Sequence, residues 1–188
     1  WAPDAAEKDG KYYLFFPAKA HDGIFRIDVA VSHSPVGPFI PQPQAIKQSF
    51  SIDPAVFKDD DGSYYMYFGG IWGGQLQRWR NGTFNGEQPE SPVAHLPEAN
   101  EPSLCAKVAK LTNDLLEFAE APKDVIILDE KGQPLLQGDT DRRFFEASWL
   151  HKYNGKYYFS YSTGDTHYLC YAIGENPYGP FIYGGRIL

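Results

Sequence analysis

Three residues suited to a reaction centre share one phase of a recurring sequence unit. Asp53, Glu146 and Trp1 each stand nine residues ahead of a turn glycine, namely Gly62, Gly155 and Gly10. Two carboxyls in unlike surroundings can divide proton donation and negative charge between them, as general acid catalysis requires. An indole beside them offers a flat apolar face to a ring-shaped ligand. Equivalent units in space bring these side chains together, and two carboxyls beside an aromatic platform suit the cleavage of a glycosidic bond.

Taken singly, each carboxyl has a plainer role. Asp53 precedes Pro54 and fits a turn cap, and Glu146, after Phe144-Phe145, fits an edge residue paired with Arg142 or Arg143. Their common phase favours the chemical reading. Asp4 lies three residues after Trp1, points to the opposite face of an extended strand, and reads as a structural cap. Trp72, within Gly69-Gly70-Ile71-Trp72-Gly73-Gly74, suits either stacking on a second sugar or covering a sheet edge. Phe25 and Asp22 are rim candidates. His21, His33, His95 and His151 fall in turns or outer strands and read as solvated, while His167 alone makes no metal site. No phosphate-binding glycine loop and no Ser-His-Asp order is present.

The elements that must position these residues repeat along the chain. Asp9-Gly10-Lys11-Tyr12-Tyr13, Asp61-Gly62-Ser63-Tyr64-Tyr65 and Asn154-Gly155-Lys156-Tyr157-Tyr158 each read as a tight hairpin turn running into a buried strand. Ser34-Pro35-Val36-Gly37-Pro38-Phe39-Ile40 and Asn176-Pro177-Tyr178-Gly179-Pro180-Phe181-Ile182 close the first and third units, each after an outer strand, Ile27 to Val31 and Leu169 to Ile173. Repeated short antiparallel strands indicate propeller blades. Three units are expected, near 1–49, 50–144 and 145–188, within one catalytic domain. The long middle unit carries a loop from Asn81 to Pro102. A helical turn is expected over Leu111 to Glu120, then a strand at Val125 to Leu128 and a turn at Asp129 to Gly132.

Composition agrees. The 188 residues are 16% aromatic and include 18 Gly and 15 Pro, the mixture of an all-β fold with frequent turns. A net charge of −7 argues against a nucleic-acid partner, and no apolar run approaches the ~18 residues that cross a membrane. Cys105 and Cys170 are too few for a disulfide framework and read as ordinary thiols.

Trp1-Ala2-Pro3-Asp4, Ser51-Ile52-Asp53-Pro54-Ala55-Val56-Phe57, Phe144-Phe145-Glu146-Ala147-Ser148 and Tyr158-Phe159-Ser160-Tyr161-Ser162 stand in an order and spacing that resemble glycoside hydrolase family 43 over essentially the whole chain. The long middle unit and Ser162-Thr163-Gly164-Asp165-Thr166-His167 resemble most its β-xylosidase and α-L-arabinofuranosidase members. The resemblance implies a five-bladed β-propeller, of which this chain supplies about three blades, and an inverting cleavage of xylosyl or arabinofuranosyl units from oligosaccharides. Glu146 is then the general acid, and Asp53 orients it and raises its pKa. Trp1 walls the sugar pocket, with Ala2, Ile52, Phe145 and Thr166 as its neighbours. The family's base, an Asp, precedes the segment that matches Trp1. Its last blade, with a His linked to a central metal or water, follows the segment that matches Leu188, so both are expected outside this chain. No cofactor is needed for the chemistry, and a structural metal in the central channel takes its ligands from elsewhere. The expected partners are the oligosaccharide and the remainder of the propeller, as a further segment or a second chain. A fructan-acting five-bladed hydrolase of retaining mechanism is the nearest rival. A non-catalytic sugar-binding propeller is the other, though binding alone needs no tuned acid.

Overall fold

A computed structural model of the chain describes residues 1–86 and 94–188. These form three sheets in succession, with no α-helix among the described residues. The first sheet orders β1 (Asp4–Lys8), β2 (Lys11–Lys19), β3 (Phe25–Ser32) and β4 (Ile40–Pro41). The second orders β5 (Ala55–Lys58), β6 (Tyr64–Phe68), β7 (Lys107–Lys110) and β8 (Lys123–Asp124). In the third, β10 (Glu146–Tyr153), β11 (Lys156–Ser162), β12 (Leu169–Gly174) and β13 (Phe181–Arg186) are followed by β9 (Ile127–Leu128). Neighbours are antiparallel except β9, which runs parallel to β13 with Phe181 opposite Ile127.

The turn residues explain the hairpins. Asp9 and Gly10 have φ of 52° and 73°, and Asn154 and Gly155 have 48° and 75°, the doubly left-handed pattern of a two-residue loop that matches strand twist. The second hairpin is built differently. Only Gly62 is left-handed there, and a longer loop is closed by the Asp59 N–H donating to Ser63 O at 2.9 Å.

Along β2 the buried residues alternate, with Tyr13 and Phe15 inward. By contrast, all five residues of β6 are buried, because the second sheet is covered on both faces. One core joins Phe15, Ile27 and Val29 to Met66, Phe68 and Leu115. The other joins Tyr67 and Val108 to Phe159, Tyr161 and Phe181. The leading strands meet as well, β5 lying against β1 on one side and β10 on the other. Residues just ahead of those strands are thereby gathered in one place.

Two local expectations need correction. Leu111 to Glu120 forms no helical turn: Leu115 is left-handed at φ 60°, and the Thr112 hydroxyl bonds Asp114, donates to Glu117 O and accepts from the Glu117 N–H. Such side-chain bonds compete with helix formation. The strand expected over Val125 to Leu128 is confined to Ile127–Leu128, and it adds to the third sheet. The Asp129 to Gly132 turn forms as expected, with Gly132 at φ 76°. Of the loop from Asn81 to Pro102, residues 87–93 lie outside the described residues. The rest holds turns and one isolated bridge, Pro102 to Leu136. Both copies of the Gly-Pro-Phe motif have a cis peptide, at Gly37–Pro38 and Gly179–Pro180. Both cysteines are free.

Candidate active site

Asp53 sits immediately before β5 and Glu146 is the first residue of β10. Beyond Glu146 the pairing with β11 shifts register by one residue, and Ala147 takes φ 60°. A bulge of this kind re-aims a strand's polar groups. Here it turns the Ala147 N–H toward the second sheet, where it donates to Asp53 Oδ2 at 2.9 Å. The other oxygen, Oδ1, is buried with no partner. Asp53 itself is only 8% exposed.

The two carboxyls differ in what surrounds them. Burial raises the pKa of Asp53, and the Ala147 N–H opposes that rise by stabilising the ionised form. Burial also raises Glu146, and the neighbouring Asp53 charge raises it further. Among the described residues no group hydrogen-bonds to the Glu146 carboxyl. Both carboxyls are thus raised, but only Asp53 has an N–H that favours its charged form, an asymmetry of the kind that a proton-donating pair uses.

Glu146 faces a cavity of about 340 Å³ walled by Trp72, Phe145, Ser162, Gly164, Asp165 and His167. Asp53 borders a separate hollow of about 260 Å³ with Ala2, Asp4 and Trp149. Phe145 is buried edge-on to Trp72, ring centres 5.4 Å apart. Trp1 is 64% exposed, packs edge-on to Phe25 and closes against Gly73, where a Cβ would stand 2.9 Å from its ring. Ile52 is fully buried beneath Gly70 and Gly74, so it supports the floor and presents no surface. The Thr166 hydroxyl is engaged with Thr163 and Thr140, and its neighbours Asp165 and His167 are the ones on the cavity wall. Asp4 accepts the Val56 N–H at 2.6 Å, tying β1 to β5. Asp22 is held by Arg26.

A larger cavity, about 840 Å³, lies away from both carboxyls, between Phe50, Trp79 and the β7–β8 edge. Its cations are already paired, Arg80 with Glu101, Lys107 with Asp124 and Lys123 with Glu120. The carboxyl chemistry decides in favour of the smaller site.

Two supports escaped sequence reasoning. Arg143, 3% exposed, donates to Gln137 O and reaches Asp165 at 3.4 Å, fastening the segment ahead of Glu146 to the 163–168 turn. Gln77 grips Trp72 through both backbone groups. No sequence pattern marks either: Arg143 meets Asp165 only across the fold, and Gln77 reaches Trp72, five residues earlier, only because the loop between them curls back. Among the described residues no group of three or more His, Cys, Asp or Glu is placed to hold a metal.

Comparison with known proteins bears directly on this geometry. The sequence model of Glycosyl hydrolases family 43 matches residues 1–182. A curated Bacteroides ovatus protein named xylosidase/arabinosidase is 62% identical over 188 residues, covering 100% of this chain and 56% of that protein. Xylosidase/arabinosidase 43A of Humicola insolens is 63% identical, again over 100% of this chain and 58% of its own length. A crystal structure of a GH43 β-xylosidase/α-arabinofuranosidase from a compost microbial metagenome, in complex with xylotriose and in calcium-free form, superposes with a TM-score of 0.94 at 61% identity, over 100% of this chain and 56% of that one. The chain thus spans about half the length of the relatives it matches.

Proposed function

Because the chain belongs to glycosyl hydrolase family 43, we propose that it forms part of an exo-acting inverting glycosidase that releases β-xylosyl or α-L-arabinofuranosyl units from plant-cell-wall oligosaccharides. The observation that carries this reading is the asymmetric carboxyl pair. Glu146 is half-buried, has no hydrogen-bond partner for its carboxyl among the described residues, and is raised by burial and then by the Asp53 charge. Asp53 receives the Ala147 N–H, which favours its charged form against burial. Glu146 gives its proton to the glycosidic oxygen as the bond to the anomeric carbon breaks. Asp53 keeps that proton on Glu146 until the substrate is in place. Trp1, Phe145 and Trp72 present the aromatic surfaces against which a sugar ring packs. An inverting reaction also needs a carboxylate base on the opposite face of the ring, supplied in this reading by a part of the protein outside these residues. The bond-breaking step calls on no cofactor. The xylosidase and arabinosidase names of the relatives and the xylotriose complex support the sugar class.

In this reading the three sheets are consecutive blades of a five-bladed propeller within one catalytic domain. Trp149, Tyr153 and Ile182 on the third sheet and Ile40 on the first are exposed large apolar side chains. Soluble domains seldom leave such surface open in quantity, and further blades on those faces cover it.

The test is Glu146→Gln in the protein at its full natural length. Hydrolysis of unactivated oligosaccharides falls roughly 10²–10⁴-fold, since a positioned acid supplies about that much. Activated aryl glycosides, whose leaving groups need little protonation, lose far less. Equal losses on both substrate classes refute the acid assignment. The first-formed anomer, followed by NMR, is inverted; retention points instead to the fructan-acting type of enzyme.

A further inference from the structure

Two buried polar atoms close to the acid pair have no hydrogen-bond partner among the described residues: Asp53 Oδ1 and Ser148 Oγ. Both residues are almost wholly covered, Asp53 at 8% and Ser148 at 5% exposed. Leaving a buried polar atom unpaired is costly, so folded proteins hold few of them and each calls for an explanation. These two belong to one place. Asp53 and Ser148 are both walls of the hollow of about 260 Å³ that Ala2, Asp4 and Trp149 also border.

One backbone feature brings them there. The bulge at the start of β10 sends the Ala147 N–H to Asp53 Oδ2, and Ser148 is the next residue along the strand. The distortion that supplies the first donor to Asp53 thus also delivers a hydroxyl to the same hollow. Charged groups face Asp53 from three directions: Glu146 from β10, Asp4 from β1 and the amino group of Trp1. The two carboxyls oppose a negative charge on Asp53, and the amino group favours it. Ser148 is the uncharged side chain in the hollow with an unused O–H beside them.

We infer that Ser148 is a positioning residue for the acid pair: its hydroxyl and Asp53 Oδ1 share one water in this hollow, which gives Asp53 a second hydrogen bond and steadies its charge. An interior water makes about two to four such bonds to buried polar groups. Hydrogen bonds to a carboxylate favour its ionised form. The consequence for catalysis rests on the glycosidase reading. With Asp53 charged, the proton of the pair stays on Glu146; with that charge less well held, the proton is divided between the two carboxyls and fewer molecules can donate it.

The experiment follows the Asp53 carboxyl by ¹³C NMR across pH in Glu146→Gln protein at its full natural length, the signal being identified by its loss on adding Asp53→Asn. Adding Ser148→Ala or Ser148→Val raises the Asp53 pKa by roughly half to one unit, the span of one hydrogen bond. Ser148→Thr keeps the hydroxyl and leaves the titration in place. With Glu146 intact, kcat/KM falls roughly three- to tenfold in the Ala and Val variants, the same span as a ratio, and recovers in Thr. Thr and Val have the same shape, so a role in packing moves both together. An unaltered titration in Ala and Val, or an equal change in all three variants, overturns the inference. A shift that disappears after dialysis against a chelator assigns the contact to a cation and overturns the shared water. A raised Asp53 pKa in Ser148→Ala, in a protein whose Glu146 form hydrolyses nothing, keeps the hydroxyl's hold on Asp53 and refutes the glycosidase. Turnover with an Asp53 titration indifferent to Ser148 does the reverse.

Discussion

Asp53 and Glu146 are treated alike by burial and differently by hydrogen bonding. Both carboxyls are raised by desolvation, but only Asp53 receives an N–H, from Ala147. The charge held there raises the pKa of Glu146 further, after burial itself. Asp53→Asn keeps an acceptor for the Ala147 N–H and removes the charge, so the Glu146 pKa falls. In the glycosidase reading proposed above, the acid is active while protonated, and the alkaline limb of the kcat/KM profile therefore moves to lower pH in the variant. A limb that stays in place shows that burial alone sets the acid. That Asp53 and Glu146 come together was legible in the sequence because the turn glycines give a common phase. That phase, however, hides unlike geometry: the third unit spends one residue on the bulge at Ala147, and the second spends residues on a longer hairpin loop. Asp4 was legible as structural from its strand phase, three residues after Trp1, although its partner, the Val56 N–H of the neighbouring sheet, was not. Gln77, Arg143 and Asp165 were not: the Arg143–Asp165 contact is made across 22 residues, and the Gln77–Trp72 bonds depend on a loop shape that carries no sequence signature.

Among the elements, the 163–168 turn has the narrowest tolerance. Gly164 stands at φ 74°, and a Cβ there would lie 2.2 Å from Phe145 Cγ. Gly164→Ala must displace the Phe145 ring from the wall of the Glu146 cavity while straining its own backbone. The expected loss is about 1–3 kcal/mol, the usual result of overpacking. It appears as a lower midpoint in denaturant unfolding together with a reduced kcat/KM, because the displaced ring neighbours the acid. Unchanged stability and activity show that the turn can yield, and remove it from the site's framework. The hairpins themselves could be read directly from Asp9-Gly10 and Asn154-Gly155, where local turn chemistry and strand pattern agree. Leu111 to Glu120 could not, because Thr112 and Asp114 spend their side chains on a local turn. Nor could the place of β9, whose parallel partner β13 lies more than fifty residues ahead and is chosen by tertiary packing.

At the scale of the whole molecule, the site is held by the joints between sheets, since Asp53 and Glu146 belong to different ones. The apolar cores on either side of β6 supply most of the cohesion. Polar ties set the alignment. Tyr64 donates to Glu7 O at 2.8 Å and joins the first sheet to the second. Tyr67 donates to Pro177 O at 2.5 Å and joins the second to the third. Asp59 makes the second of these joints twice over, accepting from Tyr157 and from Lys152, each at 2.7 Å. Burial opposes its ionisation, but these bonds prevail and hold its carboxyl below the ordinary range. A depressed pKa stabilises the fold above the unfolded value of about 3.9, and the contribution disappears as pH falls through the folded value. Asp59→Asn is therefore expected to cost about 1–3 kcal/mol near pH 7, because a buried tyrosine hydroxyl and a lysine lose a charged acceptor. The gap to the unsubstituted protein narrows progressively below about pH 4, where that protein gives up the same interaction. Urea unfolding followed across that range checks both halves. A gap that persists undiminished in acid assigns the joint to packing around the Asp59 side chain, not to its charge.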